Sequence, residues 1–222
     1  MNQLAVIFDV DGVLVDSYQA HFQSWRQMLA EVGVEFTEAA FRASFGRTTR
    51  DIIAQLGSGT LSEEQIDAWD DRKEALYREI IRQNFPAVAG AVELIDALAE
   101  AGFLLAVGSS GPPGNVALAL EQLGRADRFA ARVTGIDVTR GKPDPQVFLL
   151  AAERLGVAPQ DCAVVEDAPA GVEAANRAGM ASIGLTGTAT REQLAHADWV
   201  VDSLRELSPA IITDLIERVR KF

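Results

Sequence analysis

One cysteine, Cys162, and two histidines are all that this 222-residue chain offers of the residues that build disulfides and imidazole chemistry. A single thiol excludes an internal disulfide and points to a reducing, cytoplasmic setting. Basic residues are also scarce. Lys plus Arg number 20 against 32 Asp plus Glu, a net charge of −12. That balance lacks the footprint needed for nucleic acid or for an anionic membrane surface. Apolar runs stay short, and nothing approaches the roughly 20 residues that span a bilayer. The N-terminus shows no basic flank or cleavage pattern of a secretory signal, its apolar run stopping at Asp9. What is present is an ordinary globular composition, 48% apolar and 23% charged. The expectation is a soluble protein able to bury a sizeable core.

The apolar runs carry the fold. Leu4-Ala-Val-Ile-Phe8, Phe103-Leu-Leu-Ala-Val107, Cys162-Ala-Val-Val165, Ala181-Ser-Ile-Gly-Leu185 and Trp199-Val-Val201 read as strands buried on both faces, with a weaker strand near 132–136. Helical patterns lie between them at about 88–101, 115–124, 144–156, 169–178, 190–196 and 208–220. This alternation predicts an α/β, Rossmann-like core with a mostly parallel sheet. Residues 17–86 break it. There Phe22, Trp25, Leu29 and Val32 share a helix face, and Ser62 with Gln65 forms a capping box opening a second stripe through Ile66, Trp69, Leu76 and Ile80. The organisation expected is a core of 1–16 and 87–222 with an inserted α-helical cap domain, 17–86.

Polar clusters end several of the strands, which is where ligands bind in parallel sheets. Asp9 and Asp11 are two apart and point to one side of extended backbone. Such a pair is not cheaply desolvated and ionised without a cation or a shared proton. An ordinary Asp-Gly turn accounts for them equally well. Glu166 and Asp167 end another strand. Asp167 alone could be a helix N-cap before Pro169, but the adjoining Glu166 favours an oxygen-rich site for Mg²⁺. Ser109 and Ser110 precede a helix and could hold a phosphate, while a lone loop lysine such as Lys142 reads first as a solvated charge. Gly135 to Lys142 has the wrong spacing for a P-loop, and Gly57-Ser-Gly59 lacks the third glycine of a dinucleotide fingerprint. His196 reads as a surface residue.

Taken in order, Asp9-Val-Asp-Gly-Val-Leu-Val-Asp16, Ser109, Lys142 in Gly-Lys-Pro-Asp-Pro, and Glu166-Asp167 resemble the four motifs of the haloacid dehalogenase superfamily, in its β-phosphoglucomutase-like branch. The resemblance implies an Mg²⁺-dependent phosphatase for a small phosphorylated metabolite, a sugar phosphate first among them, with a mutase as the alternative and a non-catalytic sensor behind both. It implies Asp9 as nucleophile and Asp11 as general acid and base. Mg²⁺ would be held by Asp9, the Asp11 carbonyl and Asp167, with Glu166 assisting. Ser109, with Ser110 beside it, would bind phosphoryl oxygens, and Lys142 would offset charge. In the cap it implies that His21, Trp25 and Lys73 read the substrate. Where the branch carries a cap arginine for a second phosphate this chain has Thr49, with Arg47 and Arg50 nearby.

Overall fold

The computed structural model of the chain describes residues 2–44, 49–57 and 61–221. Its contacts form two units, Met1–Asp16 with Ala87–Phe222, and Ser17–Pro86.

The larger unit begins with β1 (Ala5–Phe8), whose four residues are all buried. After the helical unit, which holds α1 to α4, the chain returns through α5 (Ala91–Glu100), β2 (Leu104–Gly108), α6 (Pro113–Gln122) and β3 (Phe129–Val133). It continues through α7 (Gln146–Leu155), β4 (Cys162–Glu166), α8 (Pro169–Arg177), β5 (Ala181–Leu185), β6 (Trp199–Val201) and α9 (Pro209–Val219). All strands pair in parallel, in the order β3-β2-β1-β4-β5-β6. This is the α/β, Rossmann-like sheet that the alternating pattern predicts. Strand order reverses between β1 and β4, the crevice where doubly wound sheets bind ligands. Register sharpens the point: Phe8 pairs with both Val107 and Val165. Asp9 therefore emerges beside Glu166 and close to the end of β2.

Three expectations are corrected here. The weak strand lies at Phe129–Val133, three residues before its predicted start, and its residues alternate between buried and exposed. An edge strand with one face toward solvent leaves no continuous apolar run to read. Residues 190–196 make one capped turn and no lasting helix. Thr190 and Gln193 exchange side-chain bonds at 2.9 and 3.4 Å, and only Leu194 of the segment is buried. The third concerns Val32, which is 43% exposed just beyond its helix.

The helical unit consists of α1 (Tyr18–Glu31), α2 (Glu38–Ala43), α3 (Thr49–Leu56) and α4 (Glu63–Gln83). The capping box stands: Ser62 Oγ accepts from the Gln65 N–H at 3.3 Å and Gln65 Oε1 accepts from the Ser62 N–H at 2.9 Å. Trp25, Met28 and Leu29 of α1 pack with Phe36, Phe41, Ile53, Ile66 and Leu76 into a separate apolar core. Among the described residues no helix is long and apolar enough to cross a membrane.

Candidate active site

The chain leaves β1 through a tight loop wound on one carbonyl. The N–H groups of Val13, Leu14 and Val15 all lie 2.9–3.3 Å from Val10 O. Val10, Val13, Leu14 and Val15 are buried in the core, which leaves Asp9 and Asp11 at the strand's carboxyl end. Gly12 has φ +78°, a left-handed conformation that glycine adopts at no steric cost. A Cβ there would overlap Asp167 Oδ2, so the bare backbone is what lets the first loop approach the end of β4.

Lys142 arrives from the loop between β3 and α7. Gln146 braces that loop by accepting from the N–H groups of Thr139 and Arg140, both at 3.0 Å. Lys142 Nζ donates to Asp9 Oδ1 at 2.6 Å and to Glu166 Oε1, and it lies 4.9 Å from the Phe148 ring centroid. Burial opposes its charge, but Asp9 and Glu166 outweigh that cost and hold the ammonium above its ordinary range. Glu166 is fully engaged. Its Oε2 accepts from the N–H groups of Asp167 at 2.9 Å and Ala168 at 3.0 Å. A Cβ on Gly171 of α8 would overlap this carboxylate, so the first turn of α8 lies directly against it.

From β2 comes Ser109, only 1% exposed, its N–H bonded to Val133 O and its Oγ accepting from the Gly111 N–H at 3.0 Å. A Cβ placed on Gly111 would lie 3.3 Å from Ser109 Oγ and 3.6 Å from Asp11 Oδ2. Asp9, Asp11, Ser109, Lys142, Glu166 and Asp167 therefore gather at one end of the sheet. Ser110 is exposed beside them.

Charge defines the site. Four carboxylates, Asp9, Asp11, Glu166 and Asp167, surround a single lysine. Burial lifts the Asp9 carboxyl to about 7 despite Lys142, with Glu166 and Asp11 adding to the rise. Burial also raises Asp167 well above the ordinary carboxylate range, with Glu166 and Asp9 contributing, although a hydrogen bond from Thr188 works the other way. Burial and the like-charged neighbours both favour the protonated forms of these two carboxyls. The donors are all hard oxygens, which fits Mg²⁺. That ion commonly takes one or two carboxylates and fills its remaining positions with water or phosphate oxygens. Among the described residues no group of three or more His, Cys, Asp or Glu is placed to hold a metal ion.

The residues expected to read substrate scatter more widely. Trp25 is 2% exposed and belongs to the apolar core of the helical unit. Lys73 is equally buried. Its Nζ lies 3.0 Å from His21 Nδ1 and 2.7 Å from Glu74 Oε1, with the Trp25 and Tyr77 rings 5.8 and 5.5 Å away. Thr49 Oγ1 donates to the same Glu74 oxygen at 3.3 Å. Arg50 is spent at the surface, paired with Glu63 at 2.6 Å and with Asp67. Arg47 lies outside the described residues. Glu74, Gly171 and Thr188 escaped the sequence reading. Glu74 sits one residue from the expected Lys73, and only the folded chain shows what the other two touch.

A parallel α/β sheet gathers acid, hydroxyl and lysine side chains at its switch point, where such sheets bind ligands. The description haloacid dehalogenase-like hydrolase matches residues 4–179, and the chain belongs to that family. Among its relatives, the validoxylamine A 7'-phosphate phosphatase of Streptomyces hygroscopicus subsp. limoneus is 34% identical, the match covering 90% of this chain and 94% of that protein. The phosphorylated carbohydrates phosphatase of Thermotoga maritima is also 34% identical, over 81% and 83% of the two chains. In structure, the β-phosphoglucomutase of Clostridium difficile superimposes with a TM-score of 0.85 at 28% identity, covering 97% of this chain and 98% of that one.

Proposed function

We propose that this chain is an Mg²⁺-dependent phosphatase that hydrolyses a small phosphorylated metabolite, a sugar phosphate, through an aspartyl-phosphate on Asp9. The observation that carries the reading is the pairing of Asp9 with Lys142 amid an excess of carboxylates. It offers an oriented nucleophile beside an unfilled demand for cationic charge. Two relatives named as phosphatases, one of them for phosphorylated carbohydrates, support the substrate class.

Phosphoryl transfer depends chiefly on positioning and charge neutralisation. An Asp9 oxygen attacks phosphorus while the bond from phosphorus to the ester oxygen breaks. Asp11 gives its proton to that leaving oxygen, so the alcohol departs neutral. Asp11, now a carboxylate, takes a proton from a water whose oxygen attacks the phosphorus. The bond to Asp9 breaks, which releases phosphate and restores the Asp9 carboxylate and the protonated Asp11. Ser109 holds a phosphoryl oxygen. Lys142 favours the ionised form of Asp9 and aims it, and Glu166 fixes the lysine and the turn into α8. Asp9, the Asp11 carbonyl and Asp167 would hold Mg²⁺, which would supply charge neutralisation for the phosphoryl group.

The likeness to β-phosphoglucomutase favours a second reading, a mutase with the same first half-reaction. Among the described candidates, Thr49 bonded to Glu74 and Arg50 held by Glu63 and Asp67 support the phosphatase, because neither offers a free cation for a second phosphate. The test is a sugar-phosphate panel assayed with Mg²⁺ for phosphate release and, in parallel, for isomerisation of β-glucose-1-phosphate with a bisphosphate activator. Release by the parent protein and none by Asp9→Asn is expected. Equal turnover by Asp9→Asn rejects the mechanism, and isomerisation without release selects the mutase.

A further inference from the structure

Lys142 stands in a stretch with no helix or strand to hold it, and residues 139–141 before it are exposed. The Asp144 N–H donates to Gly141 O at 3.0 Å, so Lys142 and Pro143 are the central residues of a turn. Both legs of that turn meet at Gln146. On the incoming leg, Gln146 Oε1 accepts from the Thr139 and Arg140 N–H groups, both at 3.0 Å, and from Thr139 Oγ1 at 3.2 Å. On the outgoing leg, the Gln146 N–H donates to Asp144 Oδ1 at 3.0 Å. Arg140 pairs with Asp144 at 3.1 Å across the turn, but its side chain is 72% exposed and such a pair holds little. Gln146 opens α7, and the next two residues, Val147 and Phe148, lie in the apolar core of the sheet with Ala5, Ile7 and Ala106. The bonds therefore run from the core to the turn that carries the lysine.

We propose that Gln146 is a positioning residue that fixes the turn presenting Lys142 to Asp9. The inference rests on the phosphatase reading above. Lys142 Nζ reaches Asp9 Oδ1, at 2.6 Å, on a flexible four-carbon stem, so its aim depends on where its backbone is held. Gln146 meets two successive backbone N–H groups with one oxygen, which sets the course of the chain just before the lysine. The cost of losing such support is steep, because a misplacement of about 1 Å at a reacting centre can cost about 10²-fold in rate.

Steady-state phosphate release by the full chain tests this, together with acetylation of its three lysines by acetic anhydride, read by peptide mass spectrometry. Gln146→Met keeps the length of the side chain and removes the acceptor. Its kcat should fall about 10–100-fold while KM changes little. Acetylation of Lys142, measured against exposed Lys221, should rise several-fold. Gln146→Glu keeps an oxygen acceptor where a helix start favours negative charge, and should match the parent within about twofold in both readouts. In a Lys142→Met background, Gln146→Met should change kcat by less than about twofold, because the residue it positions is gone. Parent-like kcat and labelling in Gln146→Met overturn the role, as does a glutamate variant as impaired as the methionine one. An undiminished loss in the Lys142→Met background overturns it too. A parent protein that releases no phosphate rejects the phosphatase reading; labelling of Lys142 no faster in Gln146→Met overturns the positioning role even then.

Discussion

Lys142 Nζ stands 2.6 Å from Asp9 Oδ1, although 133 residues separate the two in sequence, and both side chains are about 90% buried. The lysine also reaches Glu166, so one ammonium serves two carboxylates from adjacent strands. Its stem lies against Phe148, whose ring fills the space beneath Gly108 and confines the ammonium to the acidic end of the sheet. Lys142→Met keeps the length of that stem and removes the charge. The Asp9 carboxyl should then rise beyond about 7, since the pull of Lys142 is what holds it there. Loss of one preorganised electrostatic contact at a reacting centre costs on the order of 10²–10³-fold in kcat. Phosphate-release kinetics at saturating Mg²⁺ check this. A variant within threefold of the parent would show that Lys142 only packs.

The elevated Asp9 carboxyl also has a stability consequence of definite sign. Its folded value of about 7 exceeds the ordinary value of 3.8, so the native state holds the proton more tightly than the unfolded chain. The associated stability is fully present below the ordinary value and is lost as pH rises through about 7. Asp9→Asn removes the titrating group and keeps the shape. Without metal, its melting temperature should therefore exceed the parent's by a margin that widens from pH 5 to pH 8. Mg²⁺ should narrow or reverse the margin at pH 8, because it binds the ionised parent site. Thermal melts of both proteins at four pH values measure it; a margin that shrinks toward pH 8 without metal contradicts the assignment.

Much of the sheet was legible because burial on both faces writes continuous apolar runs. Val6-Ile-Phe8 and Val164-Val165 announce central strands, and Asp9 or Glu166 marks where each run meets the ligand-binding end. Legibility failed where structure depends on distant partners. Phe129–Val133 pairs on one side only and alternates, so its boundaries slid. Glu166 resembles a simple metal ligand until its contacts with two backbone N–H groups and Lys142 are seen. Arg50 looks available until Glu63 and Asp67 are found across from it.

Within the helical unit, Lys73 and Glu74 form an ion pair of a different kind, adjacent in sequence and both buried. Removing one partner strands the other charge in a site walled by Trp25 and Tyr77. Lys73→Met and Glu74→Gln should each destabilise the protein by about 3–5 kcal/mol, the usual outcome of breaking a buried pair. The double variant strands no charge, so its loss should fall well below the sum of the single losses. Urea unfolding of the four proteins in the cycle measures the coupling. Additive losses would mean that the two side chains do not depend on each other.

Gly171 offers the sharpest steric test of how α8 serves the site. Helix propensity alone would make Gly171→Ala stabilising by up to about 1 kcal/mol, since alanine loses less entropy in a helix. Here the new methyl would overlap the Glu166 carboxylate. That group cannot swing aside freely, because it accepts from the Asp167 and Ala168 N–H groups and from Lys142. Relief requires either α8 to retreat from β4 or Glu166 to abandon its bonds. Overpacking of this kind typically costs about 1–3 kcal/mol, so the steric term outweighs propensity and the net effect should be destabilising. Because Lys142 and Asp167 both lean on Glu166, kcat should fall together with stability, while the substrate KM changes less. Urea unfolding with steady-state kinetics checks both, and a variant more stable than the parent and fully active would refute the contact.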